Sequence, residues 1–155
     1  MRIGLILFLA FFFLLAHAYF LVVVFALVRD RKSQIEMAIE AKKPGALNAK
    51  RITDNVNAYL SACQLGITLA SLALGWRGEP AVYHLVHPVL VIFGLPDAVI
   101  SEIAVALGFI IITALHIVIG ELIPGSLAIF STGRYALLTA TPLVWFYRIT
   151  YPIMW

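Results

Sequence analysis

Residues Ile3 to Val28 contain no acidic residue, lysine or arginine, and a run of this kind is longer than the roughly 20 residues a helix needs to cross a bilayer. Nothing constrains the chain more, because in hydrocarbon every backbone polar group must be satisfied within the segment. The rest of the composition agrees. Of 155 residues, 63% are hydrophobic and only 12% charged, far from the balance of a soluble domain, so the chain reads as an all-α integral membrane protein. Ala16-His17-Ala18 imitates a signal-peptide cleavage site, but no polar region follows and the apolar run continues to Val28.

Two further spans are expected, about 58–76 and 98–123, giving three transmembrane helices. Between the first two lies a polar stretch with Arg29, Arg31, Lys32, Lys42, Lys43, Lys50 and Arg51. The positive-inside rule makes it cytoplasmic and the N-terminus external. Within it Ser33-Gln34-Ile35-Glu36 matches a capping box, Lys42-Lys43-Pro44-Gly45 ends a helix, and Asn48 to Tyr59 begins another. Juxtamembrane helices are thus expected over about 33–57. Arg77-Gly78-Glu79-Pro80 reads as an outer turn, followed by a half-inserted segment interrupted by Pro88 and Gly94. Asp97 suits a helix cap for the third span. The last segment, about 134–155, holds Pro142, Pro152 and the aromatic group Trp145, Phe146, Tyr147, Tyr151 and Trp155, and reads as an interfacial belt with a cytoplasmic C-terminus.

The chemistry concentrates at His116 to Ala128. Pro124 has no N–H, so a helix there leaves the Gly120 carbonyl without a partner, and Gly125 weakens the helix further. Unpaired carbonyl oxygen then lies beside the Glu121 carboxylate and, one turn on, the Ser126 hydroxyl. Hard cations such as Mg2+ take such oxygen ligands, and an ionisable group at membrane depth usually serves an ion or proton path. The same residues also fit a Pro-Gly stop at the membrane edge, with Glu121 reaching to water. In the second span Ser61, Gln64, Thr68, Ser71 and Gly75 recur at steps of three and four, making one face small and polar. That face suits close helix packing or the wall of an ion path. His116 fits a hydrogen-bonded interior position.

Other classes find little support. The net charge of +3 is dispersed beside apolar spans, which points to lipid headgroups and not to nucleic acid. The single cysteine, Cys63, excludes a disulfide framework or a cysteine metal cluster. His84, His87 and His116 show no zincin-like spacing, and no nucleophile motif is present, so the chain is expected not to be an enzyme.

Several segments together resemble the membrane domain of the CorC/cyclin M family, also described as hemolysin C-like proteins. They are Phe25-Ala26-Leu27-Val28 with the basic residues after it, Ala62 to Pro80, the His116 to Ala128 segment, similar to a Gly-Glu-x-x-Pro-Lys-Ser motif, and Pro142 to Pro152. The resemblance implies a single membrane domain over 1–155, a homodimer in the cell membrane, and divalent-cation transport; the CBS pair usual in the family is expected to be absent from these residues, a departure from its pattern. Mg2+ would be the bound substrate ion, moved by alternating access with Na+ as the coupling ion. Carried onto this sequence, Glu121 would be ligand or gate, Gly120 and Ser126 would supply further oxygen, and Gln64, Thr68 and Ser71 would form the opposing wall, with Pro124 and Gly125 marking the helix break. The chain departs from the family pattern at Val24, where an acidic residue is common, at Gly125, where lysine is common, and at Ile67 and Ser71, near positions often held by asparagine. Those departures define the alternative: a non-transporting structural or assembly subunit of a larger membrane complex.

Overall fold

The computed structural model describes residues 3–29, 32–130 and 132–154. Arg31 of the basic stretch and Trp155 of the aromatic group lie outside that range. The described residues are helical apart from short links: α1 (Ile3–Arg29), α2 (Lys32–Glu40), α3 (Ala46–Asp54), α4 (Val56–Val91), α5 (Asp97–Leu115), a π-helical segment (His116–Leu122), α6 (Ile123–Phe130) and α7 (Thr132–Met154).

Among the described residues three stretches are long and apolar enough to span a membrane: Ile3–Ala26, Val56–Val91 and Asp97–Leu127. The chain is therefore an all-α membrane protein with three candidate spans, and α7 is not one of them. Helix α1 packs most extensively on α4, which in turn packs on α5, while α6 and α7 return against α1.

Two apolar clusters hold these elements. Near one end Ile6, Ala10 and Leu14 of α1 meet Leu74 and Ala81 of α4. Toward the other, Phe20 and Val23 of α1, Ile52 of α3, Cys63 of α4 and Leu143 of α7 close a core around which the juxtamembrane helices wrap. Polar contacts reinforce the second cluster: the Tyr19 hydroxyl donates to the Thr139 carbonyl at 2.9 Å, and the Asn48 amide donates to Thr141 Oγ1 at 3.0 Å.

Several local expectations need correction. The Arg77–Pro80 outer turn does not form. Helix α4 runs 36 residues through Pro80 and Pro88, because both prolines are on exposed positions where a helix can bend away from the ring. Ser33 is inside α2, which already begins at Lys32, so it does not cap that helix. Asp97 is the first residue of α5 and makes no side-chain cap bond, although its charge still complements the helix dipole. Pro124 does not end the third span either; the backbone changes pitch at His116 and helix continues to Phe130.

Two features fix the juxtamembrane turn. Lys43 N–H bonds the Ala38 carbonyl and Lys42 N–H the Ile39 carbonyl, both at 2.9 Å, a Schellman ending with Lys42 in the left-handed position at φ 51°. Gly45 comes next in the left-handed region, at φ 84°, and a Cβ there would overlap the Leu137 carbonyl of α7. Only glycine allows both the backbone angle and that approach.

Candidate functional site

The π segment at His116–Leu122 is closed by the Ile123 N–H bonding back to the Val118 carbonyl, five residues earlier. A wider turn lets the chain reach Pro124 without driving its ring into the carbonyl of Gly120, the clash an α-helix would impose. Since Pro124 offers no N–H in either register, a carbonyl in this turn lacks a backbone donor from it. Helix α6 then resumes, and Ser126 Oγ donates back to the Leu122 carbonyl at 2.8 Å.

Glycine and proline face α1. Gly120 is buried, and a Cβ on it would lie 2.8 Å from His116 Cδ2, 3.2 Å from His17 Cδ2 and 3.5 Å from Leu14 Cδ1. Pro124 and Gly125 are buried as well, and a Cβ on Gly125 would lie 3.4 Å from the Phe25 ring. Glu121 and Ser126 are exposed on the other side of the turn.

At the centre of the contact sits His17, which is 3% exposed. Its Nδ1 is 2.9 Å from Ser71 Oγ of α4. His116 approaches from the π segment with its ring 4.3 Å away, centroid to centroid, and turned 83°. His116 Nε2 is 3.2 Å from both ring nitrogens of His17. One nitrogen cannot lie in the ring plane along both lone pairs, so the two imidazoles meet edge to face. Glu121 follows Gly120 directly in the same turn. Three helices therefore meet at one polar junction, made by α1, α4 and the π segment.

Beside the junction, between α4 and α5, is a mainly apolar cavity of about 340 Å³, lined by Leu74, Phe109 and Ile112 together with Ser71, Gly75, Glu79, Thr113 and His116. The expected ligands divide accordingly. Ser71 and Gly120 belong to the junction, and Glu121 stands beside it. Thr68 Oγ1 donates to the Gln64 carbonyl of its own helix at 2.8 Å, and both side chains are exposed. Among the described residues no side-chain hydrogen bond joins Gln64, Thr68 or Ser126 to Glu121. Nor do three or more His, Cys, Asp or Glu side chains among the described residues come close enough to hold a metal. His84 and His87 instead pack on the Tyr83 ring.

Two participants are missing from the sequence expectations. In the sequence His17 stands out only as part of a cleavage-like tripeptide. An imidazole in an otherwise apolar span is a signal in itself, since it needs a polar partner, but that partner is 99 residues away. Glu79, expected in a turn, lines the cavity because α4 stays helical.

A family model described as the cyclin M transmembrane N-terminal domain matches residues 8–155. The chain belongs to this family. The resemblance seen in the sequence is thereby borne out, and the cyclin M relatives include UPF0053 protein YrkA of Bacillus subtilis, 41% identical over 138 residues, which are 89% of this chain and 32% of that protein. UPF0053 protein YugS from the same organism is 43% identical over 137 residues, 88% of this chain and 32% of its own length. The uncharacterized protein Rv1841c of Mycobacterium tuberculosis is 32% identical over 139 residues, 90% of this chain and 39% of its length. This cyclin M domain thus spans roughly a third of the length of the curated relatives it matches.

Proposed function

We propose that this cyclin M domain is the membrane part of a divalent-cation transporter, with Mg2+ as cargo and Na+ as the coupling ion in an alternating-access cycle. The observation that carries the proposal is the π turn. It holds a carboxylate, Glu121, at a helix discontinuity inside an apolar span, next to backbone oxygen that Pro124 cannot satisfy. Mg2+ keeps several waters and binds through one or two carboxylates, so Glu121 with backbone oxygen from Gly120 suits a passing, partly hydrated ion better than a closed cage. The neighbouring cavity, with Ser71 and Glu79 on its wall, supplies room for those waters. No catalytic role is proposed for any side chain.

The working unit is a homodimer in the cell membrane. The face of α4 carrying Ser61, Gln64, Thr68 and Gly75 is exposed on a single chain; polar small-residue faces of this kind pack on protein, not on lipid, and a second copy would make Gln64 and Thr68 a wall. The basic juxtamembrane stretch orients the chain with its N-terminus outside and C-terminus in the cytoplasm.

Glu121→Gln tests this reading. In proteoliposomes, Mg2+ flux falls to the level of empty vesicles while helix content and dimer mass stay unchanged, and calorimetric Mg2+ binding is lost, with Ca2+ and Na+ as competitors. Unchanged flux in the variant would overturn it. A second reading, a scaffold subunit that no longer transports, draws on Val24: where family members commonly carry an acid, this side chain packs against the apolar cluster around Phe20 and Val23. Wild-type protein that binds no Mg2+ and purifies in fixed ratio with a larger complex would select the scaffold.

A further inference from the structure

A second cavity lies away from the polar junction, among the juxtamembrane helices. It measures about 630 Å³, opens to the surface, and is bordered by α2, the link to α3 and the start of α7. Its floor is apolar, formed by Ile35, Ala38 and Leu137, with the exposed Met37 and Leu138 flanking the opening, and its rim carries two cations, Lys43 and Arg134. Both cationic side chains are exposed, and among the described residues the only salt bridge joins Lys50 and Asp54, so neither has a carboxylate partner there.

The acids of α2 are turned away. Residues of an α-helix step by about 100°, which puts Glu36 and Glu40 on the side of α2 opposite the cavity-lining Gln34, Ile35, Met37 and Ala38. The pocket is therefore positive at its mouth and apolar inside. A free phosphate matches only the mouth. It would leave an apolar floor facing water in a space whose volume falls in the roughly 300–1,000 Å³ range of sites for whole small molecules. The pocket also sits where the apolar part of α1 gives way to the basic stretch, at the boundary between hydrocarbon and water.

We infer that this cavity is a binding site for an anionic phospholipid, whose phosphate pairs with Lys43 and Arg134 while its glycerol backbone and first methylenes cover Met37, Leu137 and Leu138. Basic pockets beside transmembrane helices recognise anionic headgroups in this way. The turn that presents Lys43 is the one held by Gly45 against the Leu137 carbonyl, so both cations are carried by elements packed on each other. The inference stands apart from the transport reading, since none of its residues belongs to the polar junction.

The test uses the full chain in detergent, with native mass spectrometry and thermal unfolding as readouts. Phosphatidylglycerol, phosphatidylcholine with the same acyl chains, inorganic phosphate and glycerol phosphate are added separately. Phosphatidylglycerol is expected to stay bound and raise the unfolding temperature, phosphatidylcholine to be retained about tenfold less, and the two soluble phosphates to do neither. Lys43→Gln with Arg134→Gln should remove the preference. Equal retention of the two lipids by the wild type overturns the inference, and so does an unchanged preference in the double variant. Equal stabilisation by inorganic phosphate would overturn it too, assigning the cations to a soluble anion instead. Should the double variant fail to fold, the wild-type lipid comparison decides alone.

Discussion

Two stretches of this protein carry nearly the same residues and fold differently. Gly78-Glu79-Pro80 in α4 keeps α geometry through the proline, whereas Gly120-Glu121 before Pro124 opens into a π turn. Burial separates them. Pro80 is exposed, so a bend away from its ring would cost little packing. Pro124 is buried against α1 together with Gly120 and Gly125; a bend there would open the contact with Leu14, His17 and Phe25, and widening one turn satisfies the proline without moving the helix. Proline, then, does not dictate a break. The surface it is pressed against decides which distortion is least costly, and here the outcome puts a carboxylate beside an altered turn.

Glycine substitution gives the largest expected effect on that contrast. A Cβ at Gly120 meets His116 at 2.8 Å and His17 at 3.2 Å, while one at Gly4 meets nothing within 4 Å. Gly120→Val should therefore abolish Mg2+ flux and lower stability by about 1–3 kcal/mol, the usual cost of overpacking. Gly4→Val should fold with stability within about 0.5 kcal/mol of wild type. Unfolding in detergent and vesicle flux read both. Similar losses in the two variants would mean that the crowding around Gly120 is not what distinguishes the turn.

Proline replacement comes next. Pro124→Ala restores an N–H donor, allowing the π turn to close into α-helix and rotating Glu121 by about 100° relative to α6. Flux is expected to fall by about tenfold or more, equivalent to ~1.4 kcal/mol of barrier, with helix content preserved. Pro80→Ala should leave flux within about twofold, an effect well under 1 kcal/mol. Equal behaviour of the two would make the π turn incidental.

Legibility in the sequence divides along the same line. Spans are set by long-range averages of side-chain hydropathy, so Ile3 to Val28 and the stretch before Glu121 were legible, as was a helix irregularity near Pro124, which is local. The passage of α4 through Pro80 was not, because it depends on that ring lying on an exposed face. The π turn was not either, because a missing N–H signals a distortion without saying which. His17 was hidden for the reason that its partners, Ser71 and His116, come from other helices, and no spacing rule links residues across a membrane bundle.

The smallest effect isolates that hidden partner. Ser71 and Thr68 lie one turn apart on α4, yet Ser71 Oγ is 2.9 Å from His17 Nδ1 while Thr68 only bonds the Gln64 carbonyl of its own helix. Ser71→Ala removes one polar neighbour of His17 Nδ1, which keeps His116 Nε2 at 3.2 Å, and should cost about 0.5–1.5 kcal/mol; Thr68→Ala removes a bond its own helix can do without and should stay within about 0.5 kcal/mol. If His17 is what presses α1 onto the π turn, then His17→Leu combined with Ser71→Ala should cost less than the sum of the two single changes, because each removes the same contact. Strict additivity would mean that the hydrogen bond and the packing of Gly120 are independent, and that α1 holds the turn through its apolar side chains alone.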